Sequence, residues 1–404
     1  MPPEVRTERY RMYSALASAV NHPDSVERYY GLFNRRILRS LSESGVELDV
    51  VSPRPFAPPI GPYSTYASLP TVEEWGSYDV HHPRFWYLLP KRFFYGLAGD
   101  SFARRVPPYA DRTFDVPDVV HACHIYLDGY GMLPYVREHD VPLFVVAHGT
   151  VLNSYDDLPR GVRSNVRETL ETATGVLCVS DALAARARDL TDPSKVRTVP
   201  LGADPDRFPV ERRAEIRREL GVSDDATVVL FVGQFVERKG VADIIDALPR
   251  IEDDETVFVF VGSGGELSDD LRAALTEADR PARLVFDGLP PVALRRWFAI
   301  ADLLLLPSHT EGRPTVIYEA MASETAVLAS SVGGIPEQVA DADTGVLIEP
   351  GDVDALVAAL RDLTADRARL REMGRQGRER LRQNGWTWGE HADRVRQIHR
   401  EAIE

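Results

Sequence analysis

From residue 226 onward, short apolar runs alternate with stretches of helical periodicity: TVVLFVGQF, VADIIDALPRI, TVFVFVGSGG, LSDDLRAALTEA, RLVFDGL, PVALRRWFAIA, DLLLLPS, then AVLASSVGG and GVLIEPGD. The short runs are continuously apolar, so they leave no wet face, and strands of this kind are buried on both sides in a parallel sheet flanked by helices. The first half repeats the rhythm with more interruption, in VELDVVSP, DVVHACH, PLFVVAHGT, GVLCVSD and KVRTVPLG. The pattern predicts an α/β chain of two doubly wound domains, and 404 residues exceed what one hydrophobic core usually serves. VPLGADPDRF (199–208) is the predicted junction, with residues 1–200 before it and 201–384 after.

In such sheets ligands lie beyond the carboxyl ends of the strands. The loops predicted there are Gly233-Gln234, Gly262 to Gly265, Ser308 to Gly312 and Gly333-Gly334, short and polar enough to floor a nucleotide site. The third leads into HTEGRPTVIYEAMAS (309–323), where Pro314 marks the start of a helix because its missing N–H is not needed in a first turn. Glu311 then lies in the entering loop, and Glu319 about one and a half turns inside. Free amides and the helix dipole favour an anion in front of that turn, by roughly 0.3–1 kcal/mol.

Composition narrows the classes. No run of eighteen apolar residues occurs, and MPPEVRTERYRMYS is charged where a signal peptide would be apolar, so a cytoplasmic protein is expected. Cys123 and Cys178 sit singly in apolar segments and read as buried packing, with neither zinc nor disulfide spacing. A net charge of −15 argues against nucleic acid as a partner. The bases are unusual too: of 47 basic residues only Lys91, Lys195 and Lys239 are lysines. An acidic, lysine-poor surface fits work in concentrated salt, so a halophilic protein is one expectation, and arginine-rich codon usage is the other explanation. Against this background Lys239, beside Gly240, reads as a compact point charge chosen over a planar fork.

Residues 226–390 resemble the C-terminal domain of the family 4 glycosyltransferases, in VLFVGQFVERKG (229–240), HTEGRPTVIYEAMAS (309–323), VGGIPEQV (332–339), TGVLIEPGD (344–352) and a closing WTWGEHADRVRQIHREAI (386–403). AHGT (147–150), LCVSDALAARA (177–187) and VPLGADPDRF extend the likeness into the first half, while residues 54–115 lie outside it. The resemblance implies the GT-B arrangement, two facing Rossmann-like domains across a cleft, with a C-terminal helix (about 385–404) crossing back to the N-terminal domain. It implies a retaining, hexosyltransferase-type enzyme of glycan biosynthesis that takes a UDP- or GDP-sugar and works by front-face transfer; no Asp-x-Asp cluster sits in a plausible loop, so transfer without a metal ion or other cofactor is expected. By the same resemblance Glu319 holds the ribose, Glu311 the donor sugar, and the amides from Gly312 through Arg313, Pro314 and Thr315 to Val316 face sugar and diphosphate. Lys239 neutralises the departing phosphate, and Gly233 belongs to the same floor. The family often has arginine where this chain has Gln234, so either Arg238 substitutes or the contact is a neutral hydrogen bond. Glu324, Ala326 and Leu201 also depart from the family pattern and bear on loop shape. His148 is implied to contact the donor sugar or acceptor, and Gly31 to lie in the first-domain loop near the diphosphate. His121, Cys123 and His124 superficially suggest a metal site; strand alternation makes them core or cleft lining instead.

The acceptor is expected to be a glycan or a lipid-linked hydroxyl. Residues 84–112 carry six basic and two acidic residues interleaved with Phe85, Trp86, Tyr87, Phe93, Phe94 and Tyr95, which fits either peripheral contact with an anionic membrane at its inner face or a core segment with a basic rim. Two other functions fit the same architecture: a nucleotide-sugar epimerase and a catalytically silent nucleotide-sugar-binding protein.

Overall fold

The computed structural model describes residues 13–25, 31–56, 64–86, 95–251, 255–262, 264–277, 282–285 and 288–404. In chain order the strands are β1 (Ser14–Ser18), β2 (Glu47–Val51), β3 (Arg54–Pro55), β4 (Val72–Glu74), β5 (Asp79–His81), β6 (Arg84–Phe85), β7 (Val119–Ala122), β8 (Leu143–Ala147), β9 (Gly175–Cys178) and β10 (Val196–Thr198). The second half supplies β11 (Thr227–Val232), β12 (Thr256–Val261), β13 (Ala282–Val285), β14 (Leu303–Leu306), β15 (Ala326–Ser330) and β16 (Gly345–Ile348). They form an eight-stranded sheet, β10-β9-β8-β7-β1-β2-β5-β4, and a six-stranded sheet, β13-β12-β11-β14-β15-β16. All neighbours run parallel except β4 against β5. Every apolar run read from the second half is a strand at its predicted place, and all four residues of β14 are fully buried.

The centre of the first sheet is β1, SALAS, which the hydrophobic pattern does not mark. Its side chains are mostly small and two are serines; the four after Ser14 are buried, and Ser18 is satisfied there because its Oγ donates to Asp128 at 2.9 Å. A two-residue ladder of β3 with β6 is equally invisible to periodicity. It carries Arg54, buried, whose Nε donates to fully buried Asp24 at 2.6 Å and whose Nη1 donates to the Val20 carbonyl at 2.7 Å, so the segment leaving β1 is tied down at the sheet's carboxyl edge.

The Trp388–Ile403 helix crosses back and packs on the Leu32–Glu43 helix of the N-terminal half. His399 anchors it, with Nδ1 2.9 Å from Tyr13 Oη, Nε2 3.2 Å from His121 Nδ1, and its ring 4.5 Å from that of Phe144. Burial, reinforced by the mutual repulsion of the pair, holds His399 well below the usual imidazole range, and burial brings His121 down to about 3. Both rings are therefore neutral struts.

Much of the 84–112 segment is core. The Tyr95–Thr113 helix buries Phe102, Val106 and Ala110, and Phe85 is buried beside Phe102. Trp86, Leu97 and the neighbouring Phe56 are exposed at 45%, 56% and 51%, with Arg105 over the Trp86 ring. Residues 87–94, including Tyr87, Phe93 and Phe94, lie outside the described residues. Among the described residues no helix is long and apolar enough to cross a membrane.

Candidate active site

The Thr315–Ala322 helix begins directly after Pro314, whose φ of −67° and ψ of 128° set the entry turn. In front of it, Glu311 Oε1 accepts from Lys239 Nζ at 2.5 Å and from Ser308 Oγ at 2.8 Å. Lys239 arrives from the loop after β11, at the end of the Glu237–Lys239 turn. The glycine beside it is required: Gly240 has φ 69°, and a Cβ there would lie 1.9 Å from the Pro307 carbonyl oxygen. Packing of this turn on the exit of β14 brings cation and carboxylate together, with side-chain exposures of only 16% and 9%. Asp243 holds the same loop through His309 Nε2 at 2.7 Å.

The residues around Glu311 divide into two groups. Gln234 accepts from Arg238 Nη2 at 2.8 Å, and both are open to solvent beside Gly233, so a neutral amide and a guanidinium stand together there. The Arg313 side chain, in contrast, turns away from the cleft. It is buried, donates to Tyr318 and Glu337, and lies 5.0 Å over the Trp386 ring, leaving only its backbone to the loop. Pro314 cannot supply an amide at all; its carbonyl accepts from Ile317 N and Gln338 Nε2. The amide cradle expected over 312–316 therefore excludes Pro314, and Thr315 and Val316 open the helix beyond it. Glu319 projects from the same helix but not into the same cluster: Oε1 pairs with Arg36 Nη1 at 2.6 Å, across from the Leu32–Glu43 helix. Glu324, a departure from the family pattern, adopts φ 59°, the left-handed conformation that glycine takes most easily.

Across the cleft, His148 follows β8 with its ring 4.7 Å from Phe33 and 5.3 Å from His124. Its Nε2 is shielded from solvent and has no hydrogen-bond partner among the described residues. Burial, and then the neighbouring His124, hold its pKa well below the ordinary value, so the ring is neutral with one N–H and one lone pair. The two domains touch here through bare backbone: a Cβ on Gly312 would lie 1.9 Å from the His148 carbonyl oxygen. Asn153 Nδ2 donates to the Glu311 carbonyl at 3.1 Å, and Glu337 accepts from the amides of Asp181 and Ala182 at 3.0 Å each, capping a helix of the other domain.

His121, Cys123 and His124 part ways. His121 faces His399, Cys123 is a buried free thiol, and His124 turns to the cleft with Nδ1 2.8 Å from Asp128 Oδ2. Among the described residues no three His, Cys, Asp or Glu side chains gather as a metal site. Gly31 has φ 69° and abuts Asn21, whose carbonyl oxygen would lie 1.5 Å from a Cβ, so its own chain already requires a glycine. Sequence reasoning assigned no role to Arg36, Asp128 or Glu337. Glu337 lay within the quoted VGGIPEQV, but its partners Arg313 and Asp181 come from elsewhere in the chain.

Two family models match in tandem, Glycosyltransferase Family 4 over residues 32–207 and Glycosyl transferases group 1 over residues 212–380. The chain is 28% identical over 349 residues to TuaC of Bacillus subtilis, a candidate teichuronic acid biosynthesis glycosyltransferase, covering 84% of this chain and 86% of that protein. It is 30% identical over 289 residues to the D-inositol 3-phosphate glycosyltransferase of Xylanimonas cellulosilytica, covering 67% and 69%. Among solved structures, sucrose-phosphate synthase from Thermosynechococcus elongatus superposes with a TM-score of 0.80 at 22% identity, covering 97% of this chain and 99% of that one. HepE of Anabaena, solved in complex with UDP and glucose, gives 0.71 at 19% identity over 96% and 98%. At those identities the structural likeness is one of fold.

Proposed function

This chain belongs to the family 4 glycosyltransferases, with the GT-B fold, and from that premise we propose that it transfers a sugar with retention of configuration from a UDP- or GDP-sugar to a hydroxyl of a glycan or lipid-linked acceptor, without a metal ion. The observation that carries the reading is the Lys239–Glu311–Ser308 cluster in front of the Thr315–Ala322 helix, on a loop whose Gly312 abuts the backbone of His148, itself with an Nε2 that has no partner among the described residues.

In the reaction the bond from the anomeric carbon to the β-phosphate oxygen breaks with its electron pair passing to that oxygen, and the acceptor oxygen bonds to the same face of the carbon. The acceptor proton passes to the departing phosphate, so no side chain is required as a strong base. Charge grows on the leaving oxygen, and a fixed cation in a partly desolvated site stabilises charge most where it develops. Lys239 supplies that cation, and Glu311, its charge already balanced, takes donor-sugar hydroxyls. His148 Nε2 offers a buried lone pair to a further hydroxyl, and Glu319 takes the ribose while Arg36 holds one of its oxygens. Arg238, exposed and bonded to Gln234, takes the phosphate contact in this reading. That HepE, a fold neighbour, is solved with UDP and with UDP-glucose supports a nucleotide-sugar donor.

The exposed Phe56, Trp86 and Leu97, with Arg105 beside them, support peripheral contact with an anionic membrane. Flotation with anionic but not neutral liposomes is the expected result.

The test of function is incubation with UDP- and GDP-sugars and hydroxyl acceptors in EDTA, with the product's anomeric configuration read by NMR. Retained configuration in EDTA is expected. Inversion, or activity abolished by chelation and restored by a divalent ion, overturns the mechanism.

A further inference from the structure

A cavity opens between the domains, lined by Arg36 and Arg39 of the Leu32–Glu43 helix, Arg207, Arg295 of the Pro291–Ile300 helix, Trp388 and Glu319. Its empty space, counted out to the open mouth, is about 460 Å³. Three of its guanidiniums are matched within the protein: Arg36 with Glu319 at 2.6 Å, Arg39 with Glu43 at 2.7 Å and Arg207 with Asp204 at 2.9 Å. Arg295, the fourth, has no hydrogen bond or ion pair among the described residues. Burial, then the nearby Arg207 and Arg36, push its pKa below the usual arginine value, while the Glu319 and Asp204 carboxylates act in the other direction. Such an arrangement suits a group that waits for an acceptor brought by a ligand.

What the ligand presents there follows from order along the Thr315–Ala322 helix. The proposed diphosphate lies at its first turn and the ribose at Glu319, about 6 Å further along at 1.5 Å per residue. Glu319 also lines the arginine-rich cavity, so a base on the far side of a ribose held there has that cavity before it. A guanidinium only donates hydrogen bonds. Uracil and guanine present a carbonyl oxygen on their pairing edges where cytosine and adenine present an amino group. An amino group facing Arg295 would set donor against donor in a partly dry cavity, leaving both unsatisfied.

We infer that Arg295 is a specificity-determining residue that reads the donor's nucleobase, selecting the carbonyl-bearing uracil or guanine over the amino-bearing cytosine or adenine. This rests on the reading of Glu319 as the ribose ligand.

Calorimetric titration of UDP, CDP, GDP and ADP at fixed salt, into the wild-type protein and Arg295→Gln, tests it. UDP should bind tighter than CDP, and GDP tighter than ADP, each by about ten- to a hundredfold, the range for a hydrogen bond to a charged group. Each pair shares its ring system, so shape does not account for the ratio. In Arg295→Gln both ratios should fall toward unity, since an amide presents either donor or acceptor. Ratios near unity in the wild type overturn the inference, as does a variant that weakens all four nucleotides alike, the mark of a lost phosphate contact. Should none of the four bind, the donor-site reading itself fails. Thermal unfolding of the variant without nucleotide verifies its fold; if it does not fold, the two wild-type ratios decide.

Discussion

Replacing Lys239 with methionine keeps the length of the side chain and removes the charge. Nζ lies 2.5 Å from Glu311 Oε1, and the pair is largely removed from water, with side-chain exposures of 16% and 9%. Stability is expected to fall by no more than about 3–5 kcal/mol, the cost of breaking a buried pair, and by less here because Ser308 still donates to the carboxylate. Turnover should suffer more specifically. Loss of one preorganised group at a developing oxyanion costs about 10²–10³ in kcat, or about 2.7–4 kcal/mol of barrier. Lys239→Arg restores the charge but not the shape: a planar fork in a turn that Gly240 presses onto Pro307 should recover only part of the rate. Single-turnover kinetics with saturating donor isolate the chemical step, and calorimetry with the nucleoside diphosphate isolates binding. A folded Lys239→Met enzyme whose single-turnover rate stays within about threefold of wild type would refute the assignment of leaving-group stabilisation to this residue.

Acid should unfold the protein from the inside. His121 and His391 are fully buried and brought down to about 3 and about 4 from an ordinary 6.5, so the unfolded chain binds more protons. Their stabilising neutrality is complete above pH 6.5 and lost as pH falls, by about 1.4 kcal/mol per group per pH unit, or about 4 kcal/mol for the two at pH 5; denaturant midpoints that do not fall between pH 7 and pH 5 would contradict this. Gly312→Ala places a methyl 1.9 Å from the His148 carbonyl with backbone on both sides, so the domains must separate at the site. A drop of about tenfold or more in kcat/KM with little change in Tm is expected, while Gly161→Ala, which meets nothing within 4 Å, leaves kcat/KM alone. On the salt hypothesis, solubility and folded fraction rise from dilute to multimolar salt; full folding and solubility in dilute buffer would favour codon usage as the source of the arginines.

The hydrophobic pattern alone was enough to determine the α/β class and the strands of the second half. A run such as DLLLLPS has only one way to avoid water, and that constraint acts within a few residues of chain. Pro314 announced its helix for an equally local reason. Where the signal was not local it was missed: β1 is central but built mostly of small residues, and its buried Ser18 is satisfied by Asp128, which comes from more than a hundred residues away. The candidate site divides along the same line. Glu311, Glu319, Lys239 and His148 could be named from motifs, but only the tertiary structure decided that Glu311 pairs with Lys239, that Glu319 pairs with Arg36, that Arg313 turns away, and that His148 meets Gly312 across the cleft. A side chain's partner depends on how distant loops and two separate sheets come to rest against each other, and no local periodicity carries that information.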